Sequence, residues 1–213
     1  MPVPFKLPRF YPILDTALLA AHKCSILSAA EGLFDAGVRI LQYRHKDEWT
    51  QAHFDEAKKI AERCQDLGVL FVLNDRADYA RLLRSALHIG QEDLPPAAAR
   101  GIISDEILGL STHNEDQLIR ADREPVEYLS IGPIFSTRSK RNPDPEVGLQ
   151  ELSRLRQRTA KPLVAIGGIK LENARDVLAA KADSLAVISG FISEGASRKT
   201  IRRTAEQWIE WLA

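Results

Sequence analysis

Short apolar runs rich in β-branched and aromatic residues recur along the whole chain, and they constrain its fold more than any other feature. Near-continuous apolar runs of this length are typical of strands buried on both faces, as in a parallel sheet. Segments with the apolar spacing of helices lie between the runs. The runs are Phe10–Asp15, Ile40–Arg44, Leu70–Asp75, Ala86–Gly90, Ile107–Thr112, Tyr128–Ile134, Leu163–Ile169 and Ser184–Gly190.

Eight strands alternating with helices or loops predict one α/β domain over residues 1–213, a (β/α)8 TIM barrel. An open doubly wound sheet is the competing architecture. It is disfavoured because no GxGxxG motif follows the first run, which leads into Asp15 and Thr16. The clearest helical segments are 53–67, 115–121, 149–158, 171–180 and 198–212.

Charge and composition exclude several classes of partner. Lys plus Arg number 29 and Asp plus Glu number 29, so the formal net charge is zero and nucleic acid is not an expected partner. The first residues lack the apolar core of a signal peptide, and no stretch has transmembrane length. We therefore expect a cytoplasmic enzyme of small molecules, with no membrane or nucleic-acid partner. A homo-oligomer is compatible with the sequence. Cys24 and Cys64 are expected to be buried free thiols within helices.

Polar residues gather where the predicted strands end. In parallel barrels these ends and the following loops form one face, where function collects. The second to eighth units all contribute polar residues or glycines there: Gln42, Arg44, Lys46, Asn74, Asp75, Gln91, Glu92, Asp93, Ser111, Thr112, His113, Thr137, Ser139, Lys140, Gly167, Gly168, Ser189 and Gly190.

The chemistry of this face suits phosphorylated substrates. Alternation places Gln42, Arg44 and Lys46 on one side of an extended strand, which makes a cradle for a diphosphate. Asp75 and Asp93 follow adjacent strands, and two carboxylates beside a diphosphate are a typical Mg²⁺ arrangement. The glycines after the seventh strand and Ser189 after the eighth match the phosphate site that barrels often build there.

Each motif alone also has a purely structural interpretation. The Gln-x-Arg-x-Lys pattern can be a solvated strand end, and Asn74-Asp75 can be a turn or helix cap. The Gly-Gly pair can be a tight turn, and His113 can be a capping residue. The joint occurrence at one end of a barrel favours the functional interpretation.

At these residues the chain resembles the thiamine phosphate synthase family, from about Tyr11 to Phe191. Six ordered motifs carry the resemblance: QYRHK at 42–46, LNDR at 73–76, HIGQED at 88–93, GLSTH at 109–113, GPIFST at 132–137 and AIGGI at 165–169. The resemblance implies a transferase that joins 4-amino-2-methyl-5-pyrimidinylmethyl diphosphate to a thiazole phosphate. Thiamine monophosphate and pyrophosphate would be the products of this dissociative substitution.

The resemblance also implies roles for matching residues. The pyrimidine diphosphate would be bound by Gln42, Arg44, Lys46, Asn74 and Lys140, and Ser111 would lie against the pyrimidine. Asp75 and Asp93 would hold Mg²⁺, and Arg44, Ser111 and Lys140 would be the catalytic residues. The thiazole phosphate would contact Thr137, Ser139, Gly168, Ile188 and Ser189. The polar loop 138–147 is a candidate lid.

Two departures from the family pattern concern the fold. The family commonly has Gly before several strands, where this chain has Leu87, Val126, Lys181 and Ser184. These positions should affect turns and stability rather than chemistry. The family often has Glu at the position of His45, and alternation directs that side chain away from Arg44 and Lys46.

Other functions remain as alternatives. A thiazole tautomerase-like relative on the same barrel would use His113 as an acid or base, but it would not need Asn74, Asp75 and Asp93. Another phosphosugar barrel enzyme would explain the glycine pair and Ser189 but not the two carboxylates. A barrel that only binds or scaffolds would show no coupling activity.

Overall fold

The computed structural model describes residues 6–137 and 144–213, and its parallel strands close into a barrel in sequence order. The predicted (β/α)8 TIM barrel is therefore confirmed. The strands are β1 Phe10–Asp15, β2 Ile40–Arg44, β3 Leu70–Asn74, β4 Ala86–Ile89, β5 Leu108–Thr112, β6 Tyr128–Ile131, β7 Leu163–Ile166 and β8 Ser184–Val187. The helices are α1 Thr16–Ala21, α2 Ile26–Asp35, α3 Gln51–Leu67, α4 Ala77–Leu83, α5 Pro96–Ile103, α6 Glu115–Asp122, α7 Gly148–Leu155, α8 Ala174–Ala179 and α9 Arg198–Trp211, with 3₁₀ turns at Arg156–Arg158 and Ser189–Phe191.

The last strands end earlier than the apolar runs that predict them. β6 ends at Ile131, because Gly132 and Pro133 follow it and proline has no N–H to donate to the sheet. β7 ends at Ile166, because Gly167 has a φ of 100° and leaves the extended conformation. The residues that continue these runs form the loops of the polar face.

Alternation along the strands divides the apolar interior into two layers. One layer lies between the sheet and the helices and includes Leu41, Leu73 and Leu129. The other fills the barrel lumen and includes Tyr11, Ile40, Val72, Ala86, Tyr128 and Val164. In the described part of the chain, the lumen is thus packed with side chains towards the amino ends of the strands. It opens into a cavity at the carboxyl ends, where the polar face lies.

The helices follow from local sequence signals. α3 begins with a capping box formed by Thr50 and His53, and Gly68 ends it in the left-handed conformation with a φ of 66°. α9 lies against α2, where a side chain on Gly32 would come within 2.6 Å of the Arg198 carbonyl oxygen. The N- and C-terminal parts of the described chain therefore pack on each other.

One prediction about the cysteines was wrong. Cys24 lies between α1 and α2, not within a helix, because the chain turns after Ala21 to begin a second helix capped by Ser25. Cys64 lies in α3 as predicted, and both thiols are buried and free. Burial raises the pKa of the Cys64 thiol to about 12, so this thiol is unreactive near neutral pH. Over the described ranges, no helix is long and apolar enough to cross a bilayer.

Candidate active site

A cavity of about 930 Å³ opens at the carboxyl end of the barrel. Its size is in the range of small-molecule sites. Every predicted site residue that the structure describes lines this cavity: Gln42, Arg44, Lys46, Asn74, Asp75, Asp93, Ser111, Thr137, Gly168, Ile188 and Ser189. The predicted residues Ser139 and Lys140 lie outside the described residues.

The first strand contributes a charge that sequence reasoning missed. Asp15 ends β1 directly beside Arg44 of β2 in the sheet register, and the two side chains form an ion pair. Asp15 also accepts a hydrogen bond from the Leu18 N–H and so caps α1. The signal was present in the sequence, since Tyr11, Ile13 and Asp15 alternate onto one face of the strand. The pair holds the Arg44 guanidinium at the wall of the cavity.

A second ion pair joins the loops after β2 and β3. The Lys46 ammonium lies 2.5 Å from an Asp75 carboxylate oxygen. Burial, aided by the neighbouring Asp93 carboxylate, raises the pKa of Asp75 to about 6, and Lys46 acts in the opposite direction. Asp93 is itself fixed by a hydrogen bond of 2.7 Å from the Gly90 N–H. The Asp75 and Asp93 carboxylates are therefore neighbours in the cavity, with Lys46 paired to Asp75.

Backbone conformation fixes Asp75, and burial fixes Asn74. Asp75 has a positive φ of 66°, a conformation that Asp tolerates better than most residues, and its N–H donates to the His88 carbonyl oxygen. Asn74 is only 5% exposed, and its amide nitrogen is a buried donor without a hydrogen-bond acceptor among the described residues. Such an unsatisfied donor costs free energy unless a ligand supplies an acceptor.

The glycine pair is required by close approaches of the chain. Gly167 and Gly168 have φ of 100° and 65°. A Cβ on Gly168 would lie 2.6 Å from the Ser136 carbonyl oxygen, and one on Gly167 would lie 2.6 Å from Pro133. Both glycines line the cavity beside Ile188 and Ser189, as a phosphate site between the last two strands requires.

The loop after β6 is only partly described. Thr137 lies on the cavity wall, whereas positions 138–143 of the candidate lid lie outside the described residues. At the far end of the loop, an Asp144 carboxylate oxygen lies 3.5 Å from His113 Nδ1. His113 Nδ1 also lies 2.6 Å from the Gly132 carbonyl oxygen. His113 therefore connects the loops after β5 and β6 at the rim of the cavity.

The floor of the cavity contains further residues that sequence reasoning did not assign. His88 is buried, and its two ring nitrogens contact the hydroxyls of Tyr128 and Ser111 at 2.9 and 2.8 Å. Ser130 lies 3.1 Å from Ser111, and Gln42 donates to Tyr11 at 2.8 Å. Strand alternation places all of them in the lumen, but only their hydrogen bonds show that they form a unit. As predicted, His45 points away from the cavity, and it contacts Thr16 Oγ1 at 2.7 Å.

Together these features define a class of protein. Cations, paired carboxylates, an unsatisfied amide donor and a bare glycine turn surround one cavity at the catalytic end of a closed barrel. This arrangement is typical of a (β/α)8-barrel enzyme of phosphorylated substrates.

Comparisons with known proteins identify the family. The family model for thiamine monophosphate synthase matches residues 10–191. A thiamine-phosphate synthase of Koribacter versatilis is 44% identical over 197 residues, which are 91% of this chain and 93% of the relative. A thiamine-phosphate synthase of Chloroflexus aurantiacus is 37% identical over 188 residues, covering 87% of this chain and 85% of the relative.

A solved structure agrees with the sequence relatives. The thiamine phosphate pyrophosphorylase of Pyrococcus furiosus superposes with a TM-score of 0.82 at 28% identity, covering 96% of this chain and 95% of that one. This chain belongs to the thiamine monophosphate synthase family. The predicted activity, that of a thiamine-phosphate synthase and hence a transferase of thiamine biosynthesis, is confirmed at this level.

Proposed function

We propose that the chain couples 4-amino-2-methyl-5-pyrimidinylmethyl diphosphate to a thiazole phosphate, giving thiamine monophosphate and pyrophosphate. The bond between the pyrimidine methylene carbon and the diphosphate oxygen breaks, and the diphosphate leaves with the electron pair. The thiazole nitrogen then donates its lone pair to the methylene carbon. No external oxidant or general base is needed, so positioning and charge stabilisation are the tasks of the protein.

The observation that carries this proposal is the set of groups around the Asn74 amide. Its buried nitrogen lacks an acceptor, and Arg44 and Lys46 line the same wall. A diphosphate oxygen supplies the missing acceptor, and the remaining oxygens match the two cations. Asp15 and Asp75 hold these cations in place, so little side-chain ordering is left for substrate binding.

The carboxylate pair fits Mg²⁺. Asp75 and Asp93 would hold the ion, since oxygen ligands are those that Mg²⁺ prefers, and the pKa of Asp75 is raised by burial and, to a smaller degree, by the neighbouring Asp93. The described ranges contain no group of three or more His, Cys, Asp or Glu side chains suited to a metal. The remaining ligands are thus left to water and diphosphate oxygens, as is usual for Mg²⁺. When bound, the ion supplies positive charge against the leaving diphosphate.

The thiazole phosphate is assigned to the opposite wall. Thr137, Gly168 and Ser189 line the cavity there, and backbone N–H groups of such a turn are typical phosphate ligands. Ser139 and Lys140 are proposed on the resemblance alone to contact the thiazole phosphate and the diphosphate, respectively. The thiazole nitrogen would then face the methylene carbon of a pyrimidine seated on Ser111.

The test is an end-point assay of the purified protein with both substrates and Mg²⁺, scored for thiamine monophosphate. Product that disappears with a chelator and returns with added Mg²⁺ supports the reaction and the metal assignment. Product that is unaffected by the chelator overturns the metal assignment. Folded protein that forms no product from verified substrates overturns the proposed reaction, and thiazole isomerisation is then the activity to measure.

The role of Lys140 has its own test. If it stabilises the leaving diphosphate, Lys140→Ala lowers kcat far more than it raises the KM for the thiazole phosphate. A defect confined to the KM for the thiazole phosphate would instead place Lys140 on the other substrate.

A further inference from the structure

A chain of hydrogen bonds crosses the barrel lumen beneath the proposed pyrimidine site. The Gln42 amide nitrogen donates to the Tyr11 hydroxyl at 2.8 Å, and Tyr11 lies 3.1 Å from the Tyr128 hydroxyl. Tyr128 lies 2.9 Å from His88 Nδ1, and His88 Nε2 lies 2.8 Å from Ser111 Oγ. This series of hydrogen bonds therefore runs from Gln42 on β2 to Ser111 on β5. All its side chains are buried in the lumen except Ser111, which is partly exposed.

The direction of the chain is set at its first link. The Gln42 amide nitrogen can only donate, so the Tyr11 oxygen accepts and its proton goes to Tyr128. Tyr128 in turn donates to His88 Nδ1, which leaves the imidazole proton on Nε2 to be donated to Ser111. The Ser111 oxygen is then an acceptor within the chain. When the Ser130 hydroxyl, 3.1 Å away, donates to the second lone pair of Ser111, the Ser111 proton is left for a ligand.

This direction requires a neutral His88. The ring is buried, which disfavours the charged imidazolium. Doubly protonated imidazole would have two donors and could not accept from Tyr128. The groups in hydrogen-bond contact with the ring are Tyr128 and Ser111, and both are compatible with the neutral form.

The packing around Tyr128 maintains the geometry. The Tyr128 ring lies over the β5 backbone, where a Cβ on Gly109 would come within 2.1 Å of it. It stacks on His88 with ring centroids 5.4 Å apart and an interplanar angle of 23°. Burial raises the pKa of Tyr128 far above its usual value, so the hydroxyl keeps its proton for donation.

We infer that His88, together with Ser130, is a positioning residue that orients the Ser111 hydroxyl as a hydrogen-bond donor to the ligand, so that the site selects a pyrimidine ring with an acceptor nitrogen facing Ser111. This inference rests on the proposed function, because it deepens the pyrimidine side of the same site. In an aminopyrimidine the ring nitrogens accept and the amino group donates. A chain of the opposite direction would instead make Ser111 an acceptor for the amino group.

The experiment measures how the effect of changing one ligand atom on the binding free energy depends on changing one protein residue. The ligands are the pyrimidine diphosphate, two analogues with either ring nitrogen replaced by CH, and one with the amino group replaced by hydrogen. Their dissociation constants are measured by calorimetry with Mg²⁺ and without thiazole phosphate. We expect one ring-nitrogen replacement to weaken binding to the wild-type protein by about 10-fold or more. In Ser111→Ala and His88→Leu the same replacement should have less than about a threefold effect.

Conservative variants distinguish a positioning role of His88 from a general disruption of the fold. His88→Gln retains one acceptor and one donor and should restore much of the coupling that His88→Leu loses. Tyr128→Phe removes the donor to His88 and should weaken the coupling. Tyr43→Phe is the matched control, because Tyr43 is also a buried tyrosine, bonded to Glu56 at 2.8 Å, but it faces the helices. It should leave the coupling unchanged. If His88→Leu does not fold, Ser111→Ala and Tyr128→Phe still test the inference.

The outcomes are distinguishable. Wild-type protein that does not bind the pyrimidine diphosphate overturns the proposed function itself. Binding with coupling of Ser111 to the amino group, and to neither ring nitrogen, overturns the inference and reverses the chain. Binding with no coupling to any of the three positions also overturns it, because Ser111 would then not contact the ring.

Discussion

The two ends of the barrel differ in how they hold several polar groups, although the buried Ser85 hydroxyl before β4, at the amino end, also has no hydrogen-bond partner among the described residues. At the amino end, Lys161 donates to the carbonyl oxygens of Glu124 and Val126 at 2.6 and 2.8 Å, and Arg100 donates to Pro125 and Glu106. At the carboxyl end, the Asn74 amide nitrogen has no acceptor and two carboxylates repel each other.

The difference follows from what each end must do. Satisfied polar groups stabilise the native state, whereas unsatisfied groups retain free energy that a ligand releases when it binds. We therefore expect changes at the amino end to alter stability and changes at the carboxyl end to alter activity.

The largest expected effect is on activity, at the carboxyl end. Asp75→Asn removes the negative charge of one of the two proposed metal ligands. Asn also tolerates the left-handed backbone conformation at this position. We expect the coupling rate to fall by about 100-fold or more, with the thermal midpoint unchanged or higher, because a buried repulsion is also removed. Rates over a Mg²⁺ titration, with melting curves, check this. Full activity at limiting Mg²⁺ would contradict the metal assignment.

The next effect concerns His88, which lies between the two ends. Its folded-state pKa, about 4, is below the usual value of 6.5, so between these values the unfolded chain binds a proton that the native state does not. Stability from this residue is therefore present above pH 6.5 and is lost as the pH falls towards 4. The loss is up to about 3 kcal/mol.

Urea unfolding at several pH values checks this effect, with His88→Gln as the variant that does not titrate. The difference in unfolding free energy between wild type and variant should narrow or change sign as the pH falls. A constant difference from pH 7 to 4.5 would show that His88 titrates normally in the folded protein.

The closed barrel and most residues of the polar face could be predicted from the sequence. The apolar runs and their spacing predicted the closed barrel, because each strand must bury both faces. The residues of the polar face were predicted from their position at strand ends, and the described ones line one cavity, except Thr112 and Gly190.

The contacts within the lumen were not predictable in the same way. Asp15 ends β1 and His88 lies within β4, and their roles depend on partners far apart in sequence. The resemblance contained His88 within a motif but gave no partner for it. To predict a pairing such as that of His88 with Tyr128, one must know the register between strands. The periodicity within one strand does not determine that register.

A moderate effect on stability is expected at the amino end. Lys161→Met keeps most of the side-chain length but removes the donor to two backbone carbonyls. We expect a loss of about 1–2 kcal/mol in unfolding free energy, with kcat and KM within about twofold of wild type. Urea unfolding and steady-state kinetics measure the two effects. A large loss of activity without a loss of stability would contradict the division between the two ends.

The smallest expected effect is also at the amino end, and it is stabilising. Lys181 follows the end of α8 with a positive φ of 73°, at one of the positions where the family commonly has Gly. Lys181→Gly relieves about 1 kcal/mol of left-handed strain, and the greater freedom of the unfolded chain offsets part of this gain. Lys59→Gly is the matched control, since Lys59 is an exposed residue within α3 and its replacement should cost about 1 kcal/mol. Opposite signs for the two substitutions in urea unfolding, with activity unchanged in both, would show that strain at the amino end affects only the stability of the barrel. At Asp75, by contrast, Asp75→Gly would relieve the same kind of strain but remove a proposed metal ligand, so activity should be lost.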